Sequence, residues 1–278
     1  MIAGIEKEGM TFVLLRGLMR DRRHWYGFAQ RLAAAGVRVI TPDLPGNGTL
    51  AEINSPLSIS AYADYVWAQI DEVLSEGATR EVLEPVCLVG LSMGGMLALE
   101  MAKHKPNRVL RVVLINSSAA NLSPWYRRFQ LSSLVKSAWE TGRRWLNGEL
   151  AGVSLIEATV IQLTSECRGD DFKLIQDWSH YRQQGHTSLF NGLRQLAACA
   201  SFDAPVIDHL PANAPVNGPV NVPVNVIVAN RDRLAQPSCG QALADFYHSQ
   251  VIYLDDCGHD ASLDKPESLL RLLLGMAR

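Results

Sequence analysis

The chain has no run of about 18 apolar residues of the kind that spans a bilayer. Its opening stretch, M-I-A-G-I-E-K-E-G-M, carries acids where a secretion signal would have its apolar core. Both absences point to a cytoplasmic protein with no membrane partner. An excess of one charge is also missing. The 26 basic and 28 acidic residues leave a formal net charge of −2, which gives no general attraction to nucleic acid. The five cysteines, Cys87, Cys167, Cys199, Cys239 and Cys257, are scattered without a C-x-x-C spacing, so neither a disulfide framework nor a zinc site is expected. Only Cys257 stands out, two residues before His259. With 47% hydrophobic residues in 278, the chain can bury about three quarters of its unfolded surface without staples.

What is present is organised around Pro85 to Glu100, P-V-C-L-V-G-L-S-M-G-G-M-L-A-L-E. Val86 to Val89 has no polar alternation, as a strand covered on both faces reads. Gly90, Ser92 and Gly94 then fit G-x-S-x-G, a reversal from strand to helix so tight that glycine is needed beside the serine. Met96, Leu97, Leu99 and Met101 continue as an apolar helix. The serine hydroxyl is thereby presented at the carboxyl end of the strand.

Further strands are expected at Thr11 to Arg16, Val37 to Thr41, Val109 to Ile115, Val222 to Ala229 and Val251 to Leu254, with helices from Phe28, Ser60, Gly240 and Pro266. Strands alternating with helices imply an α/β fold: a mostly parallel sheet of about six strands, helices on both faces, and ligands at the strands' carboxyl ends. From Asn121 to Ser201 the alternation stops, and the segment reads as helices holding Trp125, Trp139, Trp145 and Trp178. Residues 1–120 and 202–278 are accordingly read as two parts of one core, and 121–201 as a helical cap inserted after the strand ending at Ile115. The cap as a whole would wall an apolar pocket, although any single tryptophan is more readily read as packing on the core. The near-copies P-V-N-G, P-V-N-V and P-V-N-V from Pro215 read as an extended loop entering a strand, without a chemical role.

A serine nucleophile needs a base within hydrogen-bond reach, itself oriented by an acid. Among seven histidines, His259 is favoured because it follows a buried strand by five residues and adjoins Gly258 at the same sheet edge. His24 follows three arginines that favour solvent. His104 and His248 lie at helix ends, His180 and His186 in the helical segment, and His209 in a polar linker. Asp232, three residues past the strand ending at Ala229, is the preferred acid. Asp255, Asp256 and Asp260 share the histidine's own loop, and the strand ending at Ile115 is followed by Asn116 instead of an acid. Arg16, Arg20, Arg22 and Arg23 crowd one loop, and Arg127, Arg128, Arg143 and Arg144 dot the helical segment. These form either a solvated rim or a grip for a carboxylate, a phosphate or an acidic carrier protein.

The order Ser92, Asp232, His259, with the serine on G-L-S-M-G-G, the turn A-N-R-D and the pair G-H, resembles the α/β-hydrolase fold over nearly the whole chain. The resemblance implies an oxyanion hole from the backbone N–H groups of Leu18 and Met93, each such donor worth about 3–4 kcal/mol in the transition state. It implies no metal and no organic cofactor. One departure is Arg16-Gly17 where the family usually carries His-Gly, which brings a permanent charge toward the site. Arg16, Trp125, Trp139 and Trp178 are the candidate substrate contacts. The expected activity is hydrolysis of a small-molecule carboxylic ester or thioester. Carbon–carbon bond hydrolysis, perhydrolysis, acyl transfer and a non-catalytic ligand-binding module remain open alternatives.

Overall fold

Apolar runs without polar alternation need cover on both faces. The structure, a computed structural model that describes residues 10–75, 84–185, 187–207 and 222–276, provides it. Strands β1 (Thr11–Leu15), β2 (Arg38–Ile40), β3 (Val86–Leu91), β4 (Val109–Ile115), β5 (Val224–Ala229) and β6 (Val251–Leu254) form one sheet in the order β2-β1-β3-β4-β5-β6. Every pairing is parallel. Helices α1 (Phe28–Ala34), α2 (Ser60–Ser75) and α3 (Met93–His104) alternate with the first four strands. Between β4 and β5 lie α4 (Trp125–Arg128), α5 (Leu131–Leu146), α6 (Leu155–Thr164), α7 (Phe172–Gln183) and α8 (Leu189–Ala200); α9 (Pro237–Phe246), α10 (Ala261–Asp264) and α11 (Pro266–Met276) complete the chain.

The side-chain period of two divides the sheet between two cores. Phe12, Leu14, Cys87, Val89 and Ile227 meet Phe28 and Leu32 of α1 and Leu269 and Leu273 of α11 on one face. Val13, Leu88, Val112, Leu114 and Val226 meet α2, α3 and α9 on the other. Strand order reverses between β1 and β3, so the carboxyl ends of these two strands open a crevice where ligands collect in such sheets. Three element starts differ from the sequence expectation, β2 by one residue at Arg38 and β5 and α9 beside prolines. Pro223 has no N–H to give to a ladder and β5 begins at Val224, while Pro237 occupies the first turn of α9, where a missing N–H costs nothing. Only the last P-V-N-V copy, at Pro223 to Val226, falls within the described residues; the first and most of the second lie outside them, as do His186 and His209.

Helices α6 and α7 share a small core, in which Leu150, Ala158, Ile161, Leu174, Ile175 and Trp178 gather with Leu263 of α10, while Ala198 of α8 joins the main core. Trp125, Trp139 and Trp145 are exposed; Trp178 alone of the segment's tryptophans is buried. Polar contacts tie α8 to the sheet edge. Gln195 accepts from the Met19 N–H at 2.8 Å and donates to Asn47 at 2.7 Å, and Asn191 accepts from the Ser55 N–H at 2.8 Å. Among the described residues no helix is long and apolar enough to cross a membrane.

His24 corrects the sequence expectation, since it is 5% exposed and not turned to solvent. Its arginine neighbour Arg23 is held by Asp21 at 2.7 Å, which leaves the imidazole to complete a capping box by accepting from the Asp21 N–H at 3.2 Å. Its ring packs edge-on against Trp178, with centroids 4.8 Å apart. Burial pushes its pKa below 6.5, and the charges of Arg20 and Arg16 push the same way against the opposing pull of Asp21. Proton uptake therefore favours the unfolded chain. The contribution of His24 is complete above about pH 6.5 and declines as the pH falls toward the depressed folded value. Urea midpoints measured from about pH 7.5 down to 5 are expected to drop, and His24→Gln to flatten that drop; parallel profiles for the two proteins would contradict the burial argument.

Candidate active site

Ser92 joins β3 to α3 with φ 57° and ψ −117°, outside the regions that L residues ordinarily occupy. The glycines around it are required by contact. A Cβ on Gly90 would fall inside the backbone of Gly94 and Gly95, and one on Gly94 inside the backbone of Leu15 and Arg16. The turn is held from the next strand, because Ser92 N–H donates to Ile115 O at 2.8 Å and Ser117 Oγ donates to Ser92 O at 2.8 Å. The serine side chain makes no hydrogen bond to any described residue. Met93 opens α3, where N–H groups have no intrahelical acceptor. Across the crevice, Leu18 N–H likewise meets no acceptor among the described residues, whereas the adjacent Met19 N–H is taken by Gln195.

His259 and Asp232 come from the loops after β6 and β5. His259 Nδ1 lies 2.7 Å from Asp232 Oδ2, with both residues under 9% exposed. The second carboxylate oxygen of Asp232 accepts from the N–H groups of Leu234 at 2.8 Å and Ala235 at 2.9 Å, so the acid is fixed before the imidazole arrives. With Nδ1 facing a carboxylate, the hydrogen sits on Nδ1 and the lone pair on Nε2. Cys257, the thiol nearest in sequence, is buried, and burial pushes its pKa up, which leaves it a poor nucleophile.

Two residues hold the His259 loop in ways the sequence did not disclose. Asn116, just past β4 with φ 50°, donates to His259 O at 2.7 Å and accepts from Ala229 N–H at 2.7 Å, so it binds the ends of three strands' loops together. Arg16 is 3% exposed and reaches Asp260 Oδ2 at 2.6 Å and Ser262 Oγ at 3.3 Å, while its guanidinium lies 4.8 Å from the Trp25 ring. Burial alone would raise the Asp260 carboxyl. The charge and hydrogen bonds of Arg16, with help from Ser262, outweigh it and hold the pKa below the usual carboxylate value.

Ser92 and His259 line one cavity of about 240 Å³, together with Arg16, Gly17 and Leu18 from the end of β1. Its other walls are Phe129, Leu134 on α5, Ile156, Val160 and Leu163 on α6, and Trp178 and Arg182 on α7. Of the candidate substrate contacts, Arg16 and Trp178 are in this wall, and Trp125 and Trp139 are exposed and outside it. Phe129, Glu157 and Arg182 are wall residues that the sequence reading did not single out. Among the described residues no group of three or more His, Cys, Asp or Glu is disposed to hold a metal ion.

The sequence pattern of the Alpha/beta hydrolase family matches residues 12–272. The chain is 32% identical over 106 residues to the pimeloyl-[acyl-carrier protein] methyl ester esterase of Aromatoleum aromaticum, covering 38% of this chain and 36% of that protein. It is 32% identical over 171 residues to the enzyme of the same name from Aeromonas salmonicida, covering 62% of this chain and 61% of that protein. The chain thus spans about a third to three fifths of the length of the curated relatives it matches. A solved thermophilic esterase from Thermogutta terrifontis superposes with a TM-score of 0.65 at 23% identity, over 96% of this chain and 89% of that one, a likeness of fold alone.

The buried Arg16–Asp260 pair makes a stability experiment decisive. Arg16→Met leaves a buried carboxylate without its cation and is expected to cost about 3–5 kcal/mol in urea unfolding, while Arg16→Met with Asp260→Leu recovers at least half of it. A loss under about 1 kcal/mol for the single variant would contradict the role given to the pair.

Proposed function

The chain belongs to the alpha/beta hydrolase family, and from that premise we propose that it hydrolyses a carboxylic ester or thioester through an acyl-enzyme formed on Ser92. His259 Nε2 takes the proton of the Ser92 hydroxyl as the oxygen attacks the acyl carbon. Asp232 holds the imidazole and stabilises the imidazolium that forms. The oxyanion is received by the N–H groups of Leu18 and Met93, donors worth about 3–4 kcal/mol each when aimed at the developing charge. The imidazolium returns its proton to the leaving group, and a water then repeats the sequence to release the acid. Helices α4 to α8 act as a cap that screens this chemistry from solvent.

The observation that carries this reading is the 2.7 Å contact of His259 Nδ1 with the backbone-anchored Asp232, His259 itself lining the same cavity as the strained Ser92. That two of the curated relatives are named as methyl ester esterases supports an ester ahead of a carbon–carbon bond as the scissile group.

Turnover of short p-nitrophenyl esters tests it. Ser92→Ala is expected to lose at least about 10³-fold in kcat, and Asp232→Asn about 10³–10⁴-fold by releasing the imidazole to the wrong tautomer. Equal rates for the native and Ser92→Ala proteins would overturn the assignment.

A further inference from the structure

We infer that the substrate carries a carboxylate remote from the scissile bond, and that this group docks on Arg20 and Arg182 in the cavity wall. The inference rests on the hydrolase reading of the same cavity and adds the substrate's charge to it.

The wall is apolar over most of its surface, with Leu18, Phe129, Leu134 and Val160 among its members, and its charges fall into two groups. Arg16 and Asp260 neutralise one another at 2.6 Å. The second group does not balance. Glu157, at 1% exposure, is a single carboxylate shared by two guanidinium groups: Arg20 Nη1 lies 3.0 Å from Oε2, and Arg182 Nη1 lies 3.5 Å from Oε1. Asp21, the nearest further carboxylate on the Arg20 loop, is committed to Arg23 at 2.7 Å. One positive charge is therefore in surplus on the wall of an apolar cavity, screened on one side by solvent because the Arg182 side chain is 26% exposed.

The donors are unbalanced as well. A guanidinium has five N–H groups. Apart from Glu157, Arg20 reaches only Met19 O, at 3.5 Å, and Arg182 reaches no other acceptor among the described residues. Arg20 is held in place by its stacking over Trp178, 4.8 Å from the ring, and its side chain is 10% exposed. The Arg20 guanidinium is thus a planar, pre-positioned fork of the kind that receives a carboxylate with two parallel bonds, with the Arg182 charge beside the same Glu157.

Size and charge select the ligand. On the far side of the cluster, a space of about 10 Å³ bounded by Asp21, His24 and Thr187 admits no more than a water. Arg182 also borders an open groove of about 490 Å³ beside Ser154 and Gln183, but of the two spaces that Arg20 borders only the 240 Å³ cavity that holds Ser92 admits a carboxylate, and there both guanidinium groups are reached together. A carboxylate cancels the single surplus charge. A phosphate monoester, at about −1.5 to −2, would overshoot it.

Calorimetric titration of the Ser92→Ala protein with monomethyl adipate and with methyl hexanoate, equal in acyl length and different in charge, tests the inference without turnover. The hemiester is expected to bind at least about tenfold more tightly. Adding Arg182→Met, whose side chain is 26% exposed and so tolerates replacement, is expected to bring the two affinities within about threefold. Equal affinities in the Ser92→Ala protein, or a preference that survives Arg182→Met, would overturn it. Hydrolysis of p-nitrophenyl hexanoate by the native chain tests the catalytic reading separately. A protein that prefers the hemiester but cleaves neither ester keeps the anion site and loses the acyl-enzyme.

Discussion

The backbone reversal at Ser92 is the constraint on which the rest of the site depends. A φ of 57° at a residue with a side chain costs of order 1–3 kcal/mol, and it persists only where the surroundings leave no alternative. Here they leave none. Gly94 is pressed against the end of β1, Gly90 against the first turn of α3, and the serine's own N–H and C=O are fixed by β4 and Ser117. Because β1, β3 and β4 are covered on both faces, the sheet cannot relax to relieve the turn. Core burial therefore maintains the strain that projects the hydroxyl into the crevice.

Around that fixed point, loops from distant parts of the chain are drawn together by buried polar contacts as well as by the apolar packing of residues such as Cys257 and Ala261. Asp232 is anchored by two backbone N–H groups, Asn116 spans from the end of β4 to the backbone of His259, and Arg16 reaches from β1 to Asp260. Each contact is costly to leave half-made in a dry interior, so each specifies one arrangement of its loop. The Arg20–Glu157–Arg182 cluster differs in being incomplete, with one carboxylate between two guanidinium groups. That contrast is what marks it as a place for a ligand.

Much of the fold could be read from the sequence because buried parallel strands announce themselves. Val109–Ile115 and Val251–Leu254 lie where the apolar runs put them, and Ser92, His259 and Asp232 all follow such runs. The helical segment was less legible. An amphipathic pattern says that a helix has an apolar side but not what the side touches. Trp125 and Trp139 are therefore exposed, and Phe129 and Leu134 face the cavity in their place. Pairings over long sequence separation left no local signal. Arg16 and Asp260 are 244 residues apart, and an arginine before Gly17 reads as a charge at the site until its partner is seen. His24 misled for the same reason, because the arginines beside it suggested solvent while Asp21 had already taken one of them. The Ala229 and His259 backbone groups that Asn116 holds are likewise far from it in sequence, which left only the absence of an acid visible at that position.

The central claim is that the turn and the His259–Asp232 pair make one serine hydroxyl reactive out of all those in the chain. Labelling with a fluorophosphonate, which captures activated serines, followed by mass mapping of the modified peptide, tests that claim most directly. The account predicts one adduct per chain, on Ser92, suppressed when His259 is replaced by alanine. A chain that stays unlabelled, or that is labelled at another serine, would contradict it.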